Sequence, residues 1–352
     1  MTIRINVALQ GGGAHGAYTW GVLDRLLEDE EIEIAGISGT SAGALNGAAY
    51  KAGWVHDGRE GAKRTLDALW ARMSGTNDLR LPAWMMTPFA VAEKMFTPPT
   101  ADLAVMMEYS PPFLAANAVS QVASPYSYGP FYSNPLEPVV EAFDYSDVCA
   151  ANGPRLFICA TNVRTGKVRV FTREEITTEA ILASACLPEL FQAVKIHDPF
   201  SDREEAYWDG GYSGNPPLFP LFDPSLPDDI VIVNINPLER DEVPVTPQQI
   251  ANRVNEITFN SSLLRELRAI AFVKRLLEEG TVKQGKMKNV LVHMIADDAL
   301  MRELSVATKM VPNPTIMATL KSAGRAAADR FLKDHKASLG QASTVDLAEM
   351  LN

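Results

Sequence analysis

The sequence predicts an α/β protein in which helices cover a largely parallel sheet. Three observations carry this. Short apolar runs alternate with helical patterns over residues 1–70, the same texture returns after residue 150, and two glycine-rich turns each join a strand to a helix. At 352 residues with 47% apolar content, the chain is long enough for one large domain with a sizeable core.

The elements follow in order. Ile3–Leu9 is a short apolar strand. Residues 18–27 set Val22, Leu23, Leu26 and Leu27 on one helical face, 33–38 read as a second strand, and the small-residue run 41–52 as a second helix. Residues 74–135 break the alternation, with prolines at 82, 88, 98, 99, 111, 112, 125, 130 and 135 and methionines and aromatics between them. So many prolines exclude long helices, and so much apolar content excludes a solvated linker. An irregular insertion with short helices is expected there, either a lid or lipid-facing patch or simply a packed subdomain. The hairpin 155–161/167–171 restores the α/β pattern. It is followed by a helix over 177–185, a strand ending at Asp209, a buried strand over 230–235, a long amphipathic helix over 247–279, a strand over 289–295 and a final helix over 315–335. Residues 1–338 are expected to form one domain, and the polar residues 339–352 a loosely held tail.

Bulk chemistry narrows the function. A net charge of −11 argues against a nucleic-acid partner and leaves a membrane surface open. Cys149, Cys159 and Cys186 form no C-x-x-C pair, so neither a disulfide framework nor a zinc site is expected. The first residues run straight into a strand and no apolar stretch reaches spanning length. The cytoplasm is the expected location, with peripheral membrane association compatible with it.

Two motifs carry chemistry. Gly39-Thr-Ser41-Ala-Gly43 is G-x-S-x-G between a strand and a small-residue helix, the setting a nucleophile elbow requires; the alternative is a tight turn with a capping serine. Gly11, Gly13 and Gly16 fit G-x-G-x-x-G after the first strand. A dinucleotide site would need an acid at the end of the second strand, but that strand runs into "GISGTSAG", which weakens an oxidoreductase reading. A glycine loop beside a serine can instead present backbone N–H groups to an oxyanion. None of His15, His56, His197, His293 and His335 sits in a pattern that presents a base to the serine. In "YWDGGYSGNPP", Asp209 stands at a strand end before Gly210-Gly211, which fits either a proton acceptor for Ser41 or an ordinary Asp-Gly turn.

Together, "GGGAHG" (11–16), "GTSAG" (39–43), "DGG" (209–211) with Asn215 and Pro217 behind it, and "ASACLPELF" (183–191) resemble the patatin-like phospholipases over approximately residues 3–240. The resemblance implies a three-layer α/β/α sandwich, Ser41 as nucleophile, Asp209 as base, the amides of Gly11, Gly12 and Gly13 as oxyanion hole, and no metal or organic cofactor. It also implies hydrolysis of lipid esters, with acyl transfer or general carboxylesterase activity as variants of the same dyad. The chain departs from the family at His15, where an Arg or Lys is usual. There His15 supports the loop or the oxyanion either as a protonated ring or as an N–H donor while neutral, or it is an uninvolved loop residue. An electrostatic role predicts activity that falls as pH rises through its pKa.

Overall fold

The computed structural model describes residues 2–75, 99–120, 123–283 and 285–351. Its centre is a mixed eight-stranded sheet. The parallel half contains β1 (Ile3–Leu9), β2 (Ile32–Thr40), β7 (Asp229–Val233) and β8 (Leu291–Ile295), with β3 (Arg155–Asn162) parallel to β2. Three strands run against β3 or against one another: β4 (Val168–Thr172), β5 (Val194–Asp198) and β6 (Arg203–Asp209).

Strand side chains alternate between two cores, as the two-residue period requires. Ile5, Val7 and Leu9 of β1 and Val231 and Val233 of β7 face one cluster, shared with Val22, Leu45 and Leu320. Those three lie on α1 (Gly16–Leu26), α2 (Ala42–Ser74) and α8 (Pro314–His335). Ala8, Ile230 and Ile232 face the other cluster, with Leu263, Leu267 and Ile270 of the long helix α6 (Pro247–Glu278). Helices on both faces make the three layers. Short helices α3 (Thr100–Glu108) and α4 (Pro111–Ser120) lie within the proline-rich region, of which residues 76–98 and 121–122 lie outside the described residues.

Strand register decides where the site forms. Cys159 of β3 pairs with Thr40 of β2 and with Val170 of β4, so β2 and β4 occupy opposite edges of β3. Ala160 pairs with Arg169 of β4 and with Asp209 of β6, so β6 also lies opposite β4. Therefore β2 and β6 share one edge of β3 and meet there end to end, Thr40 and Asp209 pairing with successive residues. The C-terminus of each strand stops at the other.

Two expectations are corrected. The second helix does not stop near residue 52 but continues to Ser74, broken by non-helical backbone at Asp57 and Gly58. The tail is not loose: Thr344 and Val345 N–H groups donate to the Val292 carbonyl (3.1 and 3.3 Å), and Leu347 is buried beside α6. With Ser343 Oγ accepting from Val292 N–H (3.1 Å), these N–H groups cover the otherwise open edge of β8.

Candidate active site

Ser41 occupies the turn between β2 and α2 with φ 54° and ψ −120°, a region that residues with a Cβ seldom adopt. Its N–H donates to Ser184 Oγ (2.9 Å) on α5 (Thr178–Ser184), and its carbonyl accepts from Leu45 N–H (3.1 Å), the first bond of α2. Space dictates the flanking glycines. A Cβ on Gly43 would lie 2.1 Å from the Leu9 carbonyl oxygen, and one on Gly39 2.5 Å from the Gly43 carbonyl oxygen. The turn thus aims Ser41 at the end of β1, where the amide end of α2 favours negative charge.

The meeting of β2 and β6 brings Asp209 to Ser41, and both line one pocket. The carboxyl group is completely buried. Its Oδ1 accepts the Gly211 N–H (2.7 Å), while Oδ2 is buried with no partner of good geometry. Burial raises its pKa from 3.8 to about 7; the Gly211 amide and the Ser41 hydroxyl oppose the rise, and Glu189 adds to it. Gly210 and Gly211 form the turn that carries β6 away from the site.

The glycine loop is divided. Three of its amides are expected at the oxyanion hole, but that of Gly11 donates to Asn215 Oδ1 (2.6 Å), while Asn236 Nδ2 donates to the Gly11 carbonyl (2.9 Å). Both backbone polar groups of Gly11 are committed to positioning the loop. A Cβ on Gly11 would come within 2.7 Å of Ser41 Cβ, so the loop presses directly on Ser41. Gly12 and Gly13 line the pocket, and their N–H groups have no acceptor among the described residues. Gly16 serves helix packing instead: its carbonyl accepts from Asn46 Nδ2 (3.0 Å) of α2.

His15 does not supply a charge. It is buried behind the loop, and its Nε2 lies 2.7 Å from Thr308 Oγ1. The Thr308 hydroxyl donates to the Ser305 carbonyl, so Nε2 of His15 carries the proton and Nδ1 is bare. Burial, with Lys309 nearby, holds its pKa well below the usual value, and the ring is neutral at pH 7. A fall of activity through the His15 pKa is therefore not expected.

The pocket is about 80 Å³, with Ser41, Asp209, Gly12 and Gly13 at one side and Leu45, Trp70, Met73, Leu136, Phe191 and Met310 among its apolar walls. Lys309, Asn255 and Phe259 also line it, and none of these three is singled out by sequence pattern. Ser184 lies in the "ASACLPELF" segment, but only the fold shows that its hydroxyl holds the elbow. Among the described residues, no helix is long and apolar enough to cross a membrane.

Comparison with known proteins gives one family match: the sequence model described as patatin-like phospholipase covers residues 7–222. Among solved structures, VipD from Legionella pneumophila is 14% identical, with 94% of this chain and 67% of that chain covered at a TM-score of 0.41. A chain of the ExoU–SpcU complex from the type III secretion system of Pseudomonas aeruginosa is 16% identical, with 99% and 75% covered at a TM-score of 0.30. Neither likeness is high enough to carry an argument. No curated protein matches the chain.

Proposed function

This chain belongs to the patatin-like phospholipase family, and on that premise we propose that it hydrolyses lipid esters through a Ser41–Asp209 dyad. One observation carries the reading: a serine in strained backbone and a buried carboxyl of raised pKa line the same apolar pocket, next to two backbone amides without acceptors among the described residues. Serine needs a proton acceptor, and a carboxylate serves best when its pKa lies near the working pH. Asp209, at about 7, meets that condition.

In the proposed cycle, Ser41 Oγ bonds to the ester carbonyl carbon as its proton passes to Asp209. The carbonyl π electrons move to oxygen, which the Gly12 and Gly13 amides receive. Collapse breaks the C–O bond to the leaving alcohol, which takes the proton from Asp209. Water then attacks the acyl-serine, Asp209 again accepting and returning a proton. The apolar walls suit an acyl chain, and flexible Met73 and Met310 adapt to its shape.

Exposure to an alkyl fluorophosphonate in detergent micelles, followed by intact-mass analysis, tests this. One adduct is expected on the native chain and none on Ser41→Ala. An unmodified native chain, or an adduct that survives in Ser41→Ala, would overturn the assignment of the nucleophile.

A further inference from the structure

A cation stands in the wall of this pocket without an anion to balance it. Lys309 lies on the short helix α7 (Val306–Met310), far in sequence from every motif of the site. Its ammonium donates to two neutral oxygens, Asn236 Oδ1 (2.8 Å) and Asn255 Oδ1 (2.9 Å), and lies 6.0 Å from the centre of the Phe259 ring. An ammonium has three N–H groups, so one remains. No carboxylate among the described residues forms an ion pair with it. Glu256, the acid that acts on it from α6, is instead held by Arg240 (2.6 Å) and Arg253 (3.2 Å). His15, on the other side, is neutral. Enclosing an ammonium without a counter-charge is costly; the two amide oxygens offset part of that cost, and arriving negative charge offsets more.

The place where that charge would arrive is the glycine loop. A Cβ on Gly13 would lie 2.3 Å from the Lys309 carbonyl oxygen, so the two backbones are in contact. Asn236 Oδ1, which holds the ammonium, lies 3.8 Å from the Cβ position of Gly12, and the same side chain donates to the Gly11 carbonyl. One amide thus ties the cation to the loop.

We propose that Lys309 is a catalytic residue, the positive member of the oxyanion hole, and that it stabilises the charge formed on the ester carbonyl oxygen beside the Gly12 and Gly13 amides. The proposal rests on the serine hydrolase reading above. It gives a fixed charge to the atom where charge develops, and leaves the neutral ester unaffected before attack.

The pH profile carries the signature. Burial lowers the pKa of Lys309 to about 8, with Glu256 opposing the shift and Arg240 adding to it. Of the other charged groups, Arg253 is salt-bridged to Glu256, Glu108 of α3, which packs against α7, accepts from Asn252 Nδ2 (2.8 Å), and Asp209 lines the same pocket. The Asp209 carboxylate appears as pH rises through about 7, and the Lys309 charge is lost as pH rises through about 8. The phosphonylation rate of the native enzyme is expected to rise and then fall across that interval. A rate flat from pH 8 to 10, with the fold intact by circular dichroism, would overturn the proposal without any variant. Lys309→Met is expected to cost about 10²-fold in kcat on a neutral ester, with KM little changed, and to lack the alkaline limb. A loss confined to KM, or an equal loss at every pH with the alkaline limb retained, would likewise overturn it. Absence of any adduct on the native enzyme would remove the serine reading and this one with it; an adduct with an unaltered Lys309→Met profile removes only this one.

Discussion

Asp209→Asn is expected to lose activity and gain stability at the same time. Removing the proposed proton acceptor should lower kcat by about 10²–10⁴-fold, the usual contribution of a positioned general base. Asparagine retains an oxygen for the Gly211 N–H, so the turn at the end of β6 should persist. The stability gain follows from linkage. The carboxyl is raised from 3.8 to about 7 in the folded state, so ionisation penalises the folded protein fully above pH 7 and not at all below pH 4. A shift of that size corresponds to about 4 kcal/mol as an upper bound. Urea denaturation should show Asp209→Asn more stable than the native chain at pH 8.5, with the difference shrinking as pH falls towards 4. Equal stability at pH 8.5 would mean that the acid is better solvated than its burial indicates.

The second large effect is expected at Gly43. An alanine methyl there would stand 2.1 Å from the Leu9 carbonyl oxygen and 3.0 Å from that of Gln10. Both are backbone atoms in the central sheet and at the start of the glycine loop, so neither can swing aside. Overpacking of this kind costs about 1–3 kcal/mol and occasionally more. Whatever relief occurs must move α2 away from β1, carrying Ser41 from the loop amides. Misplacement by about 1 Å can cost about 10²-fold in rate. Gly43→Ala should therefore show a lowered Tm and strongly slowed phosphonylation. A native rate in this variant would show that the elbow has more room than its geometry indicates.

How far the sequence reaches is clear from particular segments. The strands at 3–9 and 229–233 and the helices at 247–278 and 314–335 are legible because their apolar residues recur at the period of one element. Val194–Asp198 escapes because "VKIHD" is half exposed, pairs only with β6 among the described residues, and contains no uninterrupted apolar run. Ser41 and Asp209 stand out because glycine beside them marks where backbones come close. The use of Gly11 is hidden, since only the folded chain places Asn215 Oδ1 at its amide. Lys309 is hidden for a different reason: in "VATKMVPNP" it resembles any surface lysine, and its meaning depends on two asparagines from other elements.

The end-to-end meeting of β2 and β6 has a bearing on how this machinery can be lost. Ser41 and Asp209 are spaced by the lengths of two strands rather than by the loops around them, so connections can grow or shrink without disturbing their separation. One residue added or removed between Tyr207 and Asp209 is different, because it turns the acid to the opposite face of the sheet. A descendant carrying such an indel would keep its serine, its aspartate and every glycine, and still be silent. Motif content is therefore an incomplete guide to which relatives work; the count of residues from the β3-paired tyrosine to the acid belongs in the signature.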